Sequence, residues 1–260
     1  MSSGLISLIK REVTWRAESF RQSRAKWREG LIKRKMIAFY RQFIRPGDLC
    51  FDVGANVGNR TEIFLALGAR VICIDPQPGC LSILGKKYGN NPRVVIVPKG
   101  VAAQPGEMTL SVCRVASTIS TFSEKWKTGR FHDFKWDASV KVPMTTLDAL
   151  IDEFGCPGFC KIDVEGFEHE VLKGLSRRIP IISFEFAKEF LGDLQSSIEH
   201  LTTLGEAKFN FAIGESPRLA RSGWGDSQSI IDELERNHDD LLWGDVYVRF
   251  SDGLQSERRI

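Results

Sequence analysis

Long apolar runs are missing from these 260 residues. Nothing approaches the ~18 uncharged apolar residues that a membrane-spanning helix needs, which argues against an integral helical membrane protein. The first ten residues also lack the basic-then-apolar order and small-residue cleavage site of a secretory signal, so a cytoplasmic location is expected. Cysteine is sparse and scattered: Cys50, Cys73, Cys80, Cys113, Cys156 and Cys160 form no Cys-x-x-Cys pair and have no second Cys/His pair at zinc spacing. They read as reduced thiols packed as small hydrophobes. No metal is expected, because no clear cluster of ligand residues is seen. Internal repeats and low-complexity tracts are absent too. What remains is a chain 42% hydrophobic and 27% charged, long enough to bury most of its apolar surface in one substantial core.

The net charge of +3 hides an uneven distribution. Residues 1–46 carry 12 Lys/Arg against 3 Asp/Glu, and the remainder carries 24 against 30. The chain therefore divides into a basic arm over 1–46 and one domain over 47–260. In the arm, Ile32, Met36, Phe39 and Phe43 recur at helical spacing, and Leu5, Ile6, Leu8, Ile9 and Val13 form an earlier stripe, which predicts two helices broken near Gly30.

After the turn Arg45-Pro46-Gly47-Asp48 the pattern changes to short apolar runs alternating with amphipathic segments, the signature of a mostly parallel sheet. Strands are expected at 49–53, 71–74, 94–97, 108–112, 159–162, 181–186, 209–213 and 246–250. Helices are expected at 60–67, 80–87, 146–154, 168–175, 191–204 and 227–236. The stretch 114–140 is long, aromatic and weakly periodic, and reads as an irregular lid.

Three motifs carry chemistry. In the first, Cys50-Phe51-Asp52-Val53-Gly54-Ala55-Asn56-Val57-Gly58, an apolar strand runs into a glycine-bearing turn and then a helix. Gly54 permits close approach of a ligand to the backbone, Gly58 permits tight packing of the helix, and the free N–H groups of the helix start favour an anionic group. A dinucleotide fingerprint needs a glycine where Asn56 stands, so a nicotinamide cofactor fits poorly. A nucleoside with an amino-acid tail fits better: Asp52 meets an ammonium group while backbone amides meet a carboxylate. In the second motif, Asp75 closes an apolar strand, where a carboxylate can accept both hydroxyls of a ribose. Such charge-assisted bonds contribute about 1.5–3 kcal/mol each.

The third motif is Lys161-Ile162-Asp163-Val164-Glu165-Gly166-Phe167-Glu168-His169-Glu170. In an open parallel sheet the C-terminal strand ends face the ligand crevice, which places Asp163 and Glu165 there. Glu165 is the candidate general base, since a carboxylate desolvated beside its neighbours has its pKa raised toward working pH. Glu185, embedded in the apolar run 181–186, must face the site or pair with a cation.

With these clusters in order the chain resembles the FkbM family of S-adenosylmethionine-dependent methyltransferases, through FDVGANVGN, IDPQP, TTLDAL and KIDVEGFEHEVLKG. Phe209-Asn210-Phe211, Gly214-Glu215-Ser216, Trp224 and Trp243-Gly244-Asp245-Val246-Tyr247 extend the likeness. The resemblance implies a Rossmann-like class I methyltransferase fold of the α/β class, with a mostly parallel seven-stranded sheet, a reversed last strand and helices on both faces. It implies S-adenosylmethionine as cofactor and O-methylation of a hydroxyl on a sugar, glycan or other small molecule. Asp52, Gly54, Asn56 and Gly58 would hold the methionine part and Asp75 the ribose; Lys161, Asp163, Glu165 and Glu168 would surround the methyl group and the acceptor. Asp75 replaces the more usual glutamate and is one methylene shorter. Ser117-Thr118-Ile119-Ser120-Thr121 stands where small hydroxyl residues near the acceptor are expected, and the acceptor pocket is expected from 114–140 and 214–225.

Other readings compete. The basic arm could recruit a nucleic acid, but the acidic remainder of the chain and the lack of an Asn-Pro-Pro-Tyr-like run argue against a nucleic-acid methyltransferase. The arm also suits peripheral contact with an anionic membrane or a partner through Trp15, Phe20 and Trp27, in a relative without catalysis. Packing of its apolar side on the domain is the simpler expectation.

Overall fold

The computed structural model describes residues 30–113, 119–128 and 132–251. The stripe from Leu5 to Val13 and the aromatic residues Trp15, Phe20 and Trp27 lie outside the described residues. In chain order the elements are α1 (30–40), β1 (Leu49–Val53), α2 (Asn59–Ala66), β2 (Arg70–Ile74), α3 (Pro78–Tyr88), β3 (Val94–Val97), β4 (Gly100–Val101) and β5 (Gly106–Val112). There follow α4 (Glu124–Thr128), β6 (Ala138–Thr145), α5 (Leu147–Phe154), β7 (Phe159–Ile162), α6 (Glu168–Lys173), β8 (Ile181–Ala187), α7 (Leu191–Thr203), β9 (Ala207–Ile213), α8 (Ser227–Arg236) and β10 (Trp243–Phe250).

Seven strands form one sheet in the order β3-β2-β1-β7-β8-β10-β9, and β10 alone runs antiparallel to its neighbours. The fold is of the Rossmann-like α/β class with helices on both faces. Its central strands are mostly apolar because both faces are covered. Along β1, Phe51 and Val53 join one buried cluster, with side chains of α5 to α8, and Cys50 joins the other, with side chains of α1 to α3. Local signals start and stop the helices: Thr146 Oγ1 accepts the Ala149 N–H at 3.1 Å to begin α5, and Gly155, at φ 95°, ends it.

The apolar stripe of α1 and the turn after it pack on the sheet. Met36, Phe39, Tyr40, Phe43 and Ile44 are buried in the cluster that holds Cys50, Phe64, Phe159 and Tyr247. Phe43 stacks on Tyr247 with ring centroids 5.0 Å apart and on Phe159 at 5.8 Å. The division expected at 46 therefore falls inside one hydrophobic cluster. Five of the six cysteines are buried and all are free; Cys156 is the exposed one.

The expected strand 108–112 lies outside the main sheet. It belongs to β5, which pairs antiparallel with β6 in a separate three-stranded sheet ordered β4-β6-β5. Part of the expected irregular stretch 114–140 is ordered as well: α4 buries Trp126, and the chain doubles back to bridge Ser111 with Thr121. Among the described residues no helix is long and apolar enough to cross a membrane.

Candidate active site

The strand order reverses between β1 and β7, and the carboxyl ends of these strands open a crevice beside the small sheet. A cavity of about 450 Å³ fills it, lined by the turn after β1, the end of β2, Asp163 to Glu165, Glu185, Asp245 and parts of the less patterned segments. Because β10 runs in reverse, its first residues meet the ends of β7 and β8. Asp245 pairs in register with Glu185.

The glycine turn is shaped by two close approaches. Gly54, at φ +80°, lies against the end of β7: a Cβ on it would stand 1.8 Å from the carbonyl oxygen of Asp163. Gly58, at φ +82°, lies against α3, and a Cβ there would stand 2.6 Å from Tyr88 Cε2. Gly58 thus faces Tyr88, whose hydroxyl donates to its carbonyl at 3.0 Å, and is not among the cavity-lining residues. Asn56 occupies the left-handed region at φ 50°, a conformation asparagine tolerates better than most residues.

Asp75 is 2% exposed and is held by its surroundings: its Oδ2 accepts the Asn56 N–H and its Oδ1 accepts the Gln77 N–H, both at 2.8 Å. Burial raises its pKa to about 6 against the pull of those two bonds. Each oxygen keeps a lone pair for a hydroxyl donor. Asp52 also lines the cavity, and its Oδ2 accepts the Thr61 hydroxyl at 2.5 Å; burial raises its pKa, with Thr61 and Lys161 opposing.

Lys161 is 1% exposed and does not line the cavity. Its Nζ donates to Asp245 Oδ1 at 2.8 Å and to Asp163 Oδ2 at 3.2 Å, tying β10 to the end of β7. Burial alone would lower its pKa, but these two carboxylates hold it well above the ordinary lysine value. Lys161 fixes the carboxylates and does not itself reach the cavity.

The turn after β7 is wound around Glu168, whose Oε1 accepts the N–H groups of Val164 and Gly166 at 2.9 and 3.3 Å. Burial raises the Glu168 pKa to about 7. Within this turn Glu165 adopts φ +58°, a left-handed conformation that costs a side-chain-bearing residue about 1–2 kcal/mol. Thr121 supports it by donating its hydroxyl to the Glu165 carbonyl at 2.6 Å. Burial, then Asp163 and Glu168, raise the Glu165 pKa to about 9. Glu185 is pushed well above the carboxylate range by burial and by Asp163, Glu165 and Glu168; its Oε2 is buried without a hydrogen-bond partner. Folding brings together what the chain keeps apart: Asp163, Glu165 and Glu185 each place a carboxylate oxygen within 4.8 Å of the others.

Of the expected hydroxyl segment, Ile119 and Ser120 line the cavity with Phe122 and Trp126, and Ser117 and Thr118 lie outside the described residues. Gly214 and Glu215 line it from the far side. Two lining residues escaped the sequence reasoning as site residues. Arg60 pairs with Glu215, lies with its guanidinium 6.0 Å from the Tyr40 ring centroid, and keeps a buried Nε without a hydrogen-bond partner. Asp245 stood in a recognised family segment, but only the register with β8 places it at Glu185. His169 lies away from this cavity, 3.3 Å from Ser197 Oγ.

Residues 52–212, more than half of the chain, match the model of the methyltransferase FkbM domain. A curated relative, the hexuronic acid methyltransferase AglP of Haloferax volcanii, is 25% identical over 169 residues. The match covers 64% of this chain and 65% of that protein, so just under two thirds of the relative's length is spanned. Among solved structures, a precorrin-6Y C5,15-methyltransferase from Geobacter metallireducens superposes with a TM-score of 0.45 at 11% identity, over 83% of this chain and 87% of that one. A TehB-like SAM-dependent methyltransferase from Corynebacterium glutamicum gives 0.41 at 11% identity, over 91% and 99%. The extent of the family-model match decides the assignment: the chain belongs to the FkbM methyltransferase domain family.

Proposed function

We propose that this protein transfers a methyl group from S-adenosylmethionine to an oxygen of a sugar or glycan acceptor. The observation that carries the reading is the juxtaposition, in one cavity, of the Asp75 carboxylate at the glycine turn and the carboxylate group of Asp163, Glu165 and Glu185 at the ends of β7 and β8. The donor set fits the cofactor. Asp75 offers two oriented oxygens for the ribose hydroxyls; Asp52, Gly54 and Asn56 shape the turn for the methionine part, with Gly58 packing it on α3. Arg60 has an unpartnered Nε that suits a carboxylate. The name of the relative supports a carbohydrate acceptor, and the acid-lined cavity favours a small molecule over a polyphosphate chain.

When bound there, S-adenosylmethionine supplies a methyl group on a positively charged sulfur, and that charge favours ionised carboxylates around it. Glu165, held ionised by that charge, takes the acceptor's hydroxyl proton at a carboxylate oxygen. Lys161 holds Asp163 and Asp245 so that the acceptor is aligned rather than merely held. Leu110 of β5, Phe122 and Trp126 of α4 give the cavity an apolar wall.

Calorimetric titration of the full-length chain with S-adenosylmethionine, S-adenosylhomocysteine and NAD tests this. The first two bind and NAD does not, and Asp75→Ala weakens binding at least about 10- to 100-fold, the worth of one charge-assisted hydrogen bond. Glu165→Gln keeps donor binding and lowers turnover on hydroxylated sugar acceptors. NAD binding without S-adenosylmethionine binding would overturn the proposal.

A further inference from the structure

Five carboxylates converge where β7, β8 and β10 meet. Three have partners: Glu168 takes the amides of Val164 and Gly166, and Asp245 and Asp163 Oδ2 share Lys161 Nζ. Asp163, Glu165 and Glu185 each place an oxygen within 4.8 Å of the other two. The other nearby cation, Arg60, is paired with Glu215.

Glu185 is the decisive member. Its Oε2 is buried and makes no hydrogen bond, in the midst of two further carboxylates. Its register partner on β10 is Asp245, which is already engaged by Lys161. Leaving a buried polar atom unpaired costs about 1–3 kcal/mol. A bound cation, taking the place of protons, removes that cost.

We propose that Asp163, Glu165 and Glu185 hold one hard divalent cation, Mg2+ or Mn2+, each giving it one oxygen. Ligand oxygens of such an ion, bound at about 2.0–2.1 Å, stand about 2.9 Å apart when adjacent and roughly 4 Å when opposite. Three carboxylates within 4.8 Å close on it with small side-chain rotations. An all-oxygen set without His or Cys selects these ions over zinc. Mg2+ and Mn2+ keep water or substrate oxygens in their remaining positions. Those positions face the cavity that the same three residues line, where they suit adjacent hydroxyl or carboxylate oxygens of an acceptor. The site rests on carboxylate geometry and stands independently of the methyl-transfer reading.

The test is Mn2+ titration of the EDTA-treated full-length protein without cofactor, followed by loss of the free Mn2+ electron paramagnetic resonance signal. We expect one saturable site that Mg2+ displaces. Glu185→Gln and Glu165→Gln should each weaken it at least about tenfold, whereas Glu153→Gln, on the exposed side of α5, should leave it unchanged. Circular dichroism confirms that each variant is folded, and Glu165→Gln serves if Glu185→Gln is not. Absence of Mn2+ binding at millimolar concentration, or binding undiminished in both variants, overturns the site. Because no cofactor is present, this failure and a failure of S-adenosylmethionine binding are read separately.

Discussion

Gly54 and Asp163 touch backbone to backbone across the switch point of the sheet: the hydrogen of the glycine occupies space that a Cβ could enter only at 1.8 Å from the Asp163 carbonyl oxygen. The same contact fixes the distance between the glycine turn and the acidic turn. Gly54→Ala forces one of them to move and adds left-handed strain of about 1–2 kcal/mol. We expect a loss of more than about 2 kcal/mol in denaturant-unfolding stability, together with loss of donor binding.

Asp75 sets a pH dependence. Its folded-state pKa of about 6 lies above the ~3.9 of an unfolded aspartate. The unfolded chain therefore releases this proton first, and Asp75 withdraws stability as pH rises from about 4 to about 6. Donor hydroxyls bind the ionised form better, so S-adenosylmethionine affinity should rise as pH increases through about 6 and level off above it. Asp75→Asn should bind more weakly and lose that rise, which calorimetry between pH 5 and 8 can read.

Lys161 is a buried tether, and Lys161→Met leaves the buried Asp245 and the partly exposed Asp163 with no counter-ion between them. Breaking one partner of a buried pair costs about 3–5 kcal/mol. Adding Asp245→Asn to Lys161→Met should recover part of the loss in urea unfolding, and simple additivity of the two changes would mean the residues are not coupled.

Phe43, in the turn after α1, tests whether the N-terminal segment 30–46 is part of the folded unit. It is buried between Tyr247 and Phe159, so Phe43→Ala should cost about 3–5 kcal/mol. A chain starting at residue 47 exposes that aromatic surface and should show a lowered thermal midpoint, checked by differential scanning calorimetry.

Much of the sheet was legible. β1, β2, β7 and β8 are mostly apolar runs, the mark of strands covered on both faces, and α5 carries an apolar stripe behind a Thr146 cap. β6 was not seen, because its alternation Ala-Ser-Val-Lys-Val-Pro-Met-Thr is half exposed and interrupted by Pro143. β5 was seen but placed in no particular sheet, since a strand's pattern says which face is buried and not which strand lies beside it.

The sequence by itself determined the α/β class, the glycine turn, the acids at strand ends and membership of a family, because these depend on local periodicity and on motifs contiguous in the chain. Only the tertiary structure decided what those residues do to one another. It turned Lys161 away from the cavity, set Arg60 and Asp245 beside it, and carried Glu185 across twenty residues to meet Glu165 and Asp163. The physical reason is that strand order and the reversal of β10 fix these distances, and the packing that enforces them is shared among residues far apart in the chain.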